Sequence, residues 1–382
     1  MPALAAVTPQ LLASADVVAL GQQVFTDPNL SEPRGTACAS CHRANMGFAG
    51  NNGSTLGVAR GSTAAALGLR NAMSNSYSGQ VPAFHFQIEN GKAEAVGGLF
   101  WDGRVDTLTL QAAGPLLNPL EMNNPHAAAV VAKIAAAPYA GEFRRLFGAG
   151  VFDDADTALS RIGNALEGFQ RASLQPFSSK YDAVVRGAAA LSASEARGMA
   201  LFRDPARANC AGCHLMNPDS GKPEDSLFTD FSFYATGVPR NRAIPRNADP
   251  TFFDLGLCGP ERTSLVLPAE VLATGATPDN FCGMFRMSSL RNVAERPAFM
   301  HNGFFKDLRE VVRFYATRHR NPIDFYGGDG TPNDLPARYL GNIEKTKAPF
   351  NLPASAPPVL TPSEIDDVVA FLRTLSDGYR PR

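Results

Sequence analysis

An excess of charge of either sign is missing from this sequence. Its 382 residues carry 35 Lys+Arg against 36 Asp+Glu, a formal net charge of -1. It therefore lacks the basic field with which a protein holds nucleic acid or an anionic membrane surface. A long hydrophobic run is missing too. The opening MPALAAVTPQLLASADVVAL is mildly apolar, but Pro9, Gln10 and Asp16 interrupt it and no basic segment precedes it, so it reads as neither signal peptide nor membrane span. No long stretch alternates with period two between hairpin turns, which points to a mainly α fold. The 29 prolines and 34 glycines supply long loops. Tryptophan occurs once, at Trp101, and cysteine only six times.

Four of the six cysteines fall in two copies of one pattern, Cys38-Ala-Ser-Cys41-His42 and Cys210-Ala-Gly-Cys213-His214. C-x-x-C-H is the attachment signature of covalent c-type haem. Two thiols three positions apart on one turn can each form a thioether to a haem vinyl group, and the imidazole that follows then lies under the iron as proximal ligand. A zinc site or a thioredoxin-like redox pair would use the cysteines but leave the histidine, twice, as coincidence.

The flanks repeat as well. Gly21-Gln-Gln-Val-Phe25 precedes the first motif and Gly198-Met-Ala-Leu-Phe202 the second, so a helix leads into each attachment turn and the chain reads as a duplication. Ser192 and Glu195 form a capping box for the second such helix. Thr361-Pro362-Ser363-Glu364 starts a closing helix whose Ile365, Val368, Val369, Leu372 and Leu375 share one face. At 382 residues the chain holds two domains of ordinary size, with the seam expected between 175 and 190. Cys258 and Cys282 are left over. Haem attachment of this kind belongs outside the cytoplasm, where disulfides persist, so a bond between them is expected, with two free buried thiols as the alternative.

Between the haem motifs lies Phe100-Trp101-Asp102-Gly103-Arg104, followed by Gln111, Pro115 and Glu121-Met122; later come Ser289-Leu290-Arg291-Asn292-Val293 and His301-Asn302-Gly303. In this order, with two C-x-x-C-H sites, the sequence resembles the bacterial dihaem cytochrome c peroxidases, which include the MauG-like enzymes. The resemblance implies two cytochrome c-like domains: residues 1–185, holding the peroxidatic haem through Cys38, Cys41 and His42, and residues 186–382, holding the electron-transfer haem through Cys210, Cys213 and His214. It makes Glu121 the distal acid/base with Gln111 nearby, and Trp101 the electron relay between the haems. A carboxyl beside an open iron position can take a proton from one peroxide oxygen and deliver it to the other. The implied partners are hydrogen peroxide and either a small redox protein or a protein substrate, in the periplasm. A calcium ion is common in the family, although Glu295-Arg296-Pro297-Ala298 and Tyr77 stand where its usual neighbours differ.

Two departures bear on mechanism. The stretch near Leu69-Arg70-Asn71 contains no histidine where reductively activated members carry one that caps the first iron; His85 is the only histidine between His42 and Trp101. The first iron is therefore expected to be open. In Lys306–Tyr315, Asp307 and Glu310 read as a capping box, and Leu308, Val311, Val312 and Tyr315 share a face. Tyr315 stands fourteen residues after His301, where peroxidases of the family place a methionine ligand and MauG-like members a tyrosine. The resemblance thus makes Tyr315 the axial ligand opposite His214, with Met284, Met287 and Met300 as competitors. The expected function is peroxide reduction at the first haem. The alternatives are a MauG-like oxidase acting on residues of a partner protein and a non-enzymatic dihaem electron-transfer cytochrome.

Overall fold

The structure, a computed structural model, describes residues 7–381. Residues 1–6 of the apolar opening stretch lie outside the described residues; from Thr8 onward that stretch is two separate helices, Pro9–Leu12 and Ala15–Thr26. No described helix is long and apolar enough to cross a membrane. The protein is mostly helical with few strands. It divides into two compact units, one of Met1–Val81 with Val105–Pro176 and one of Pro82–Arg104 with Phe177–Arg382.

In the first unit, α1 (Ala15–Thr26) buries Val17, Leu20, Gly21, Val24 and Phe25, an i, i+3, i+4, i+7, i+8 stripe. The stripe packs on the longest helix, α3 (Ala155–Ser173), whose N-terminus is capped by Asp154 accepting from the Thr157 N–H at 2.8 Å. Between them in sequence, α2 (Ala127–Ala135) contributes Val130, Val131 and Ile134 to the same core. Gly21 marks where α1 crosses α3: a Cβ there would lie 1.9 Å from the Ala165 carbonyl oxygen.

The second unit repeats this crossing. Helix α4 (Ala193–Arg203) begins with the expected capping box, Ser192 accepting from the Glu195 N–H and Glu195 accepting from the Ser192 N–H at 2.7 Å. The closing helix α6 (Pro362–Arg373) begins with the same device at Thr361 and Glu364, with Pro362 at its first position. Each such cap is worth about 1 kcal/mol. At their crossing a Cβ on Gly198 would lie 1.9 Å from the Asp367 carbonyl oxygen. Ile365, Val368, Val369, Leu372 and Leu375 are all buried there. Between them in sequence, α5 (Leu308–Thr317) starts at Asp307, which accepts from the Arg309 N–H at 2.7 Å. Glu310 does not complete the expected box; its carboxylate turns to Arg313, 2.8 Å away, because an i, i+3 cation offers it a charged partner.

One short hairpin accompanies the helices. Strands β1 (His85–Glu89) and β2 (Lys92–Val96) pair antiparallel around Asn90-Gly91, both with φ > 0 (50° and 76°), the conformation of a two-residue hairpin turn. Alternation is weak because β1 is exposed along most of its length. The hairpin packs Phe84 edge-on against Phe233 (5.8 Å) and Phe86 against Phe281 (5.2 Å), so residues 82–104 belong to the second unit although they are flanked in sequence by the first. A second, minimal pairing joins β3 (Phe233–Tyr234) to β4 (Phe285–Arg286). Cys258 and Cys282 are disulfide-bonded within this unit.

Candidate active site

In the first unit, Cys38-Ala-Ser-Cys41 forms one helical turn, closed by the His42 N–H donating to the Cys38 carbonyl at 2.9 Å. Both thiols therefore lie on one turn with the imidazole directly after it. The His42 ring places Nδ1 3.0 Å from the Phe48 carbonyl oxygen. A carbonyl can only accept, so Nδ1 carries the proton and Nε2 keeps its lone pair, the arrangement of a metal-ligating histidine with its partner fixed. Desolvation holds the His42 pKa below the usual imidazole value, which keeps the ring neutral.

The second attachment turn reproduces these relations. His214 donates its N–H to the Cys210 carbonyl at 2.8 Å, and its Nδ1 lies 2.9 Å from the Phe228 carbonyl oxygen. Burial lowers its pKa as well. Phe48 and Phe228 have φ of 53° and 54°. The helix phenylalanine of each repeat faces the ring, Phe25 at 6.4 Å from His42 and Phe202 at 6.5 Å from His214. Two sites built alike to this level of detail are two copies of one device.

The residues fit covalent haem and fit the alternatives poorly. All four motif cysteines are free while Cys258 and Cys282 are bonded. Burial pushes the Cys38, Cys41 and Cys210 thiols up to about 12 and Cys213 to about 11, the opposite of a reactive thiolate pair. Among the described residues no group of three or more His, Cys, Asp or Glu side chains is placed to hold a metal ion. In the second unit Cys210, Cys213 and His214 line a mostly apolar cavity with about 1650 Å³ of space free of protein atoms, counting its open mouth.

Glu121 stands beside the first attachment turn, close enough for its charge to raise both thiols. Asn118 Nδ2 donates to its Oε1 at 2.8 Å, and its carbonyl accepts from the Ser62 N–H at 2.7 Å. Gly61 lets that approach happen, since a Cβ there would meet the Leu120 and Glu121 carbonyls at 2.4 and 2.8 Å. Gln111 ends the short helix Leu108–Gln111, half-buried. Among the described residues its side chain makes no hydrogen bond to Glu121.

Tyr315, on α5, lines the second cavity together with His214, Met287 and Met300. Burial is the main cause that pushes its phenol well above the ordinary range, with the neighbouring Cys213 and Cys210 adding to it. Met284 packs elsewhere, against the core around Leu257 and Phe281. Trp101 lines the same cavity. Its backbone is fixed by the Arg286 N–H donating to its carbonyl at 2.8 Å, and Asp102 beside it is fully buried and gripped by Arg104 Nη1 at 2.9 Å to both carboxylate oxygens. The guanidinium of Arg104 lies 3.8 Å over the Phe100 ring. The Phe-Trp-Asp-Gly-Arg run is thus a self-bracing loop that presents one indole. His85 sits exposed on β1 with Nδ1 3.0 Å from the Ala83 carbonyl, in the second unit.

Sequence reasoning missed the His301 environment and Arg296. The His301 ring stacks on Phe285 at 3.6 Å, meets Trp101 edge-on at 6.5 Å and places Nε2 3.1 Å from Asp334. The His-Asn-Gly run was a signal for the first. Arg296, in the stretch considered for calcium, lines the cavity instead.

Comparison with known proteins agrees with this geometry. The sequence profile of the di-haem cytochrome c peroxidases matches residues 15–190. Methylamine utilization protein MauG of Paracoccus denitrificans is 36% identical over 378 residues, covering 96% of this chain and 90% of the relative. Cytochrome c peroxidase Ccp of Escherichia coli is 31% identical over 97% of this chain and 60% of its own length. Among solved structures, the diheme peroxidase BthA from Burkholderia thailandensis is 41% identical with a TM-score of 0.87, covering 98% of this chain and 89% of that one. With its paired attachment turns and these relatives along nearly its whole length, the chain belongs to the di-haem cytochrome c peroxidase and MauG family, whose members are oxidoreductases acting with peroxide.

Proposed function

We propose that the chain is a periplasmic dihaem peroxidase with one catalytic and one electron-exchanging haem, each unit being a cytochrome c-like domain. Cys38, Cys41 and His42 would hold the first haem and Cys210, Cys213 and His214 the second, with Tyr315 as a further ligand to the second. A haem at the first site would supply the iron and the electrons for cleaving peroxide. Glu121 would be the group that accepts a peroxide proton on its carboxylate and gives it back to the departing oxygen. Asn118 holds one carboxylate oxygen in place, and Gln111 supports the distal side. Trp101 is the residue assigned to electron exchange between the two haem sites. Calcium has no ligand set assigned to it.

The observation that carries this reading is the clamped position of Glu121 beside the first attachment turn, where an electron carrier has no use for an acid. The electron paramagnetic resonance spectrum of the oxidised protein tests it. One high-spin and one low-spin ferric signal are expected; two low-spin signals would make the chain a carrier. Tyr315 favours a MauG-like oxidase of a partner protein as the second reading, together with the lack of a histidine near Leu69-Arg70-Asn71 to close the first site. In that case the electrons come from residues of a protein substrate instead of a small redox protein.

A further inference from the structure

Arg296 is 7% exposed and lines the second cavity, and neither its Nε nor its Nη2 has a hydrogen-bond partner among the described residues. Burial lowers its pKa to about 10, still well above neutrality, so it is a cation. The contrast with Arg291, five positions earlier, is complete. There Nη1 meets Asp182 at 3.0 and 3.1 Å, Nε the Ser226 carbonyl and Nη2 the Pro223 carbonyl. A buried guanidinium with two of its nitrogens unpartnered is destabilising unless something else supplies acceptors for them.

The carboxylates on the cavity wall are engaged elsewhere. Asp334 Oδ2 accepts from Asn302 at 2.9 Å and lies 3.1 Å from His301 Nε2, and Glu344 Oε1 accepts from the Thr346 and Lys347 backbone N–H groups. Arg296 lines the cavity, and neither carboxylate of the cavity wall is bonded to its Nε or Nη2. A haem brings carboxylates of its own: Cys210 and Cys213 fix its vinyl edge, and its two propionates must find partners on the remaining walls. We propose that Arg296 is the anchor for a propionate of the second haem. This rests on the reading of Cys210, Cys213 and His214 as a haem site. The planar fork suits bidentate pairing with a carboxylate in a way a lysine does not.

The test uses Arg296→Gln and Arg296→Lys holoproteins. Intact mass first counts haems: wild-type chains lacking haem at Cys210 and Cys213 would sink the underlying site reading without touching Arg296. With two haems present, spectroelectrochemical titration should show the second-haem potential lowered in R296Q, because a cation that favoured the reduced haem is gone, with the first-haem potential unchanged. R296K should fall between, since its point charge pairs less closely; it decides alone if R296Q yields no holoprotein. A wild-type potential in the variants overturns the proposal. So does a shift of the wild-type second-haem potential on adding excess acetate or chloride, which would make the occupant a solvent anion.

Discussion

At the residue scale the proposed chemistry turns on two side chains. Glu121→Gln keeps the shape and the Asn118 contact but cannot carry the proton. It should leave both haems attached and slow peroxide cleavage about a hundredfold or more, the usual scale for a general acid/base. Stopped-flow mixing with peroxide measures it, and wild-type rates would remove Glu121 from the mechanism. Tyr315 differs from a thioether ligand in being a hard oxygen donor, which favours the oxidised iron. Tyr315→Met should therefore raise the second-haem potential in redox titration and leave the first untouched. These residues were readable only through motif order: by itself Glu121 is one of many surface-like carboxylates, and nothing in composition singles it out. The carbonyls of Phe48 and Phe228 were not readable at all, because they lie six residues after His42 and fourteen after His214 and a backbone acceptor leaves no side-chain signature. Arg296 was equally silent, since an arginine in a loop normally faces water.

At the element scale the two helix crossings decide stability. Gly21→Ala and Gly198→Ala each force a methyl group against a carbonyl oxygen only 1.9 Å from its ideal position. Each should cost about 1–3 kcal/mol or more, the range for overpacking. Denaturant unfolding measures the loss, and loss of the haem-bound fraction should track it, because Phe25 and Phe202 ride on the same helices as the glycines. A substitution at exposed Gly141, which has open space around it, is the control. The helices themselves were legible from caps and periodicity, as at Ser192–Glu195 and Thr361–Glu364. The hairpin was not, although Asn90-Gly91 is a strong turn signal, because its strands are short and mostly exposed, so burial imprints no alternation on them. The Glu310 box failed for a local reason: Arg313 competes for the same carboxylate.

At the scale of the whole molecule, duplication was visible in the two C-x-x-C-H motifs and their upstream glycines, and the chain leaves the first unit for the last time between Pro176 and Phe177. The return of residues 82–104 to the second unit was hidden, since partners such as Phe233 and Phe281 lie more than a hundred residues downstream and no local pattern announces them. The disulfide closes a loop with a sequence separation of 24 inside that unit. Replacing both Cys258 and Cys282 by serine should lower its stability by about 2–4 kcal/mol, mainly by freeing the unfolded chain. Thermal melts of the oxidised wild type and the double variant give the difference; equal melting temperatures would show that the unit is held by its core alone.

The borrowed hairpin also sets an order of events as the chain is made. Residues 82–104 emerge before every segment that will cover Phe84 and Phe86, so during synthesis their aromatic face waits without a partner while the first unit completes itself on either side. A nascent chain that stops at Pro176 carries a sticky ribbon, prone to cling to chaperones or to other copies of itself. Shortening the same fragment by joining Val81 to Val105 through a few glycines would remove the liability.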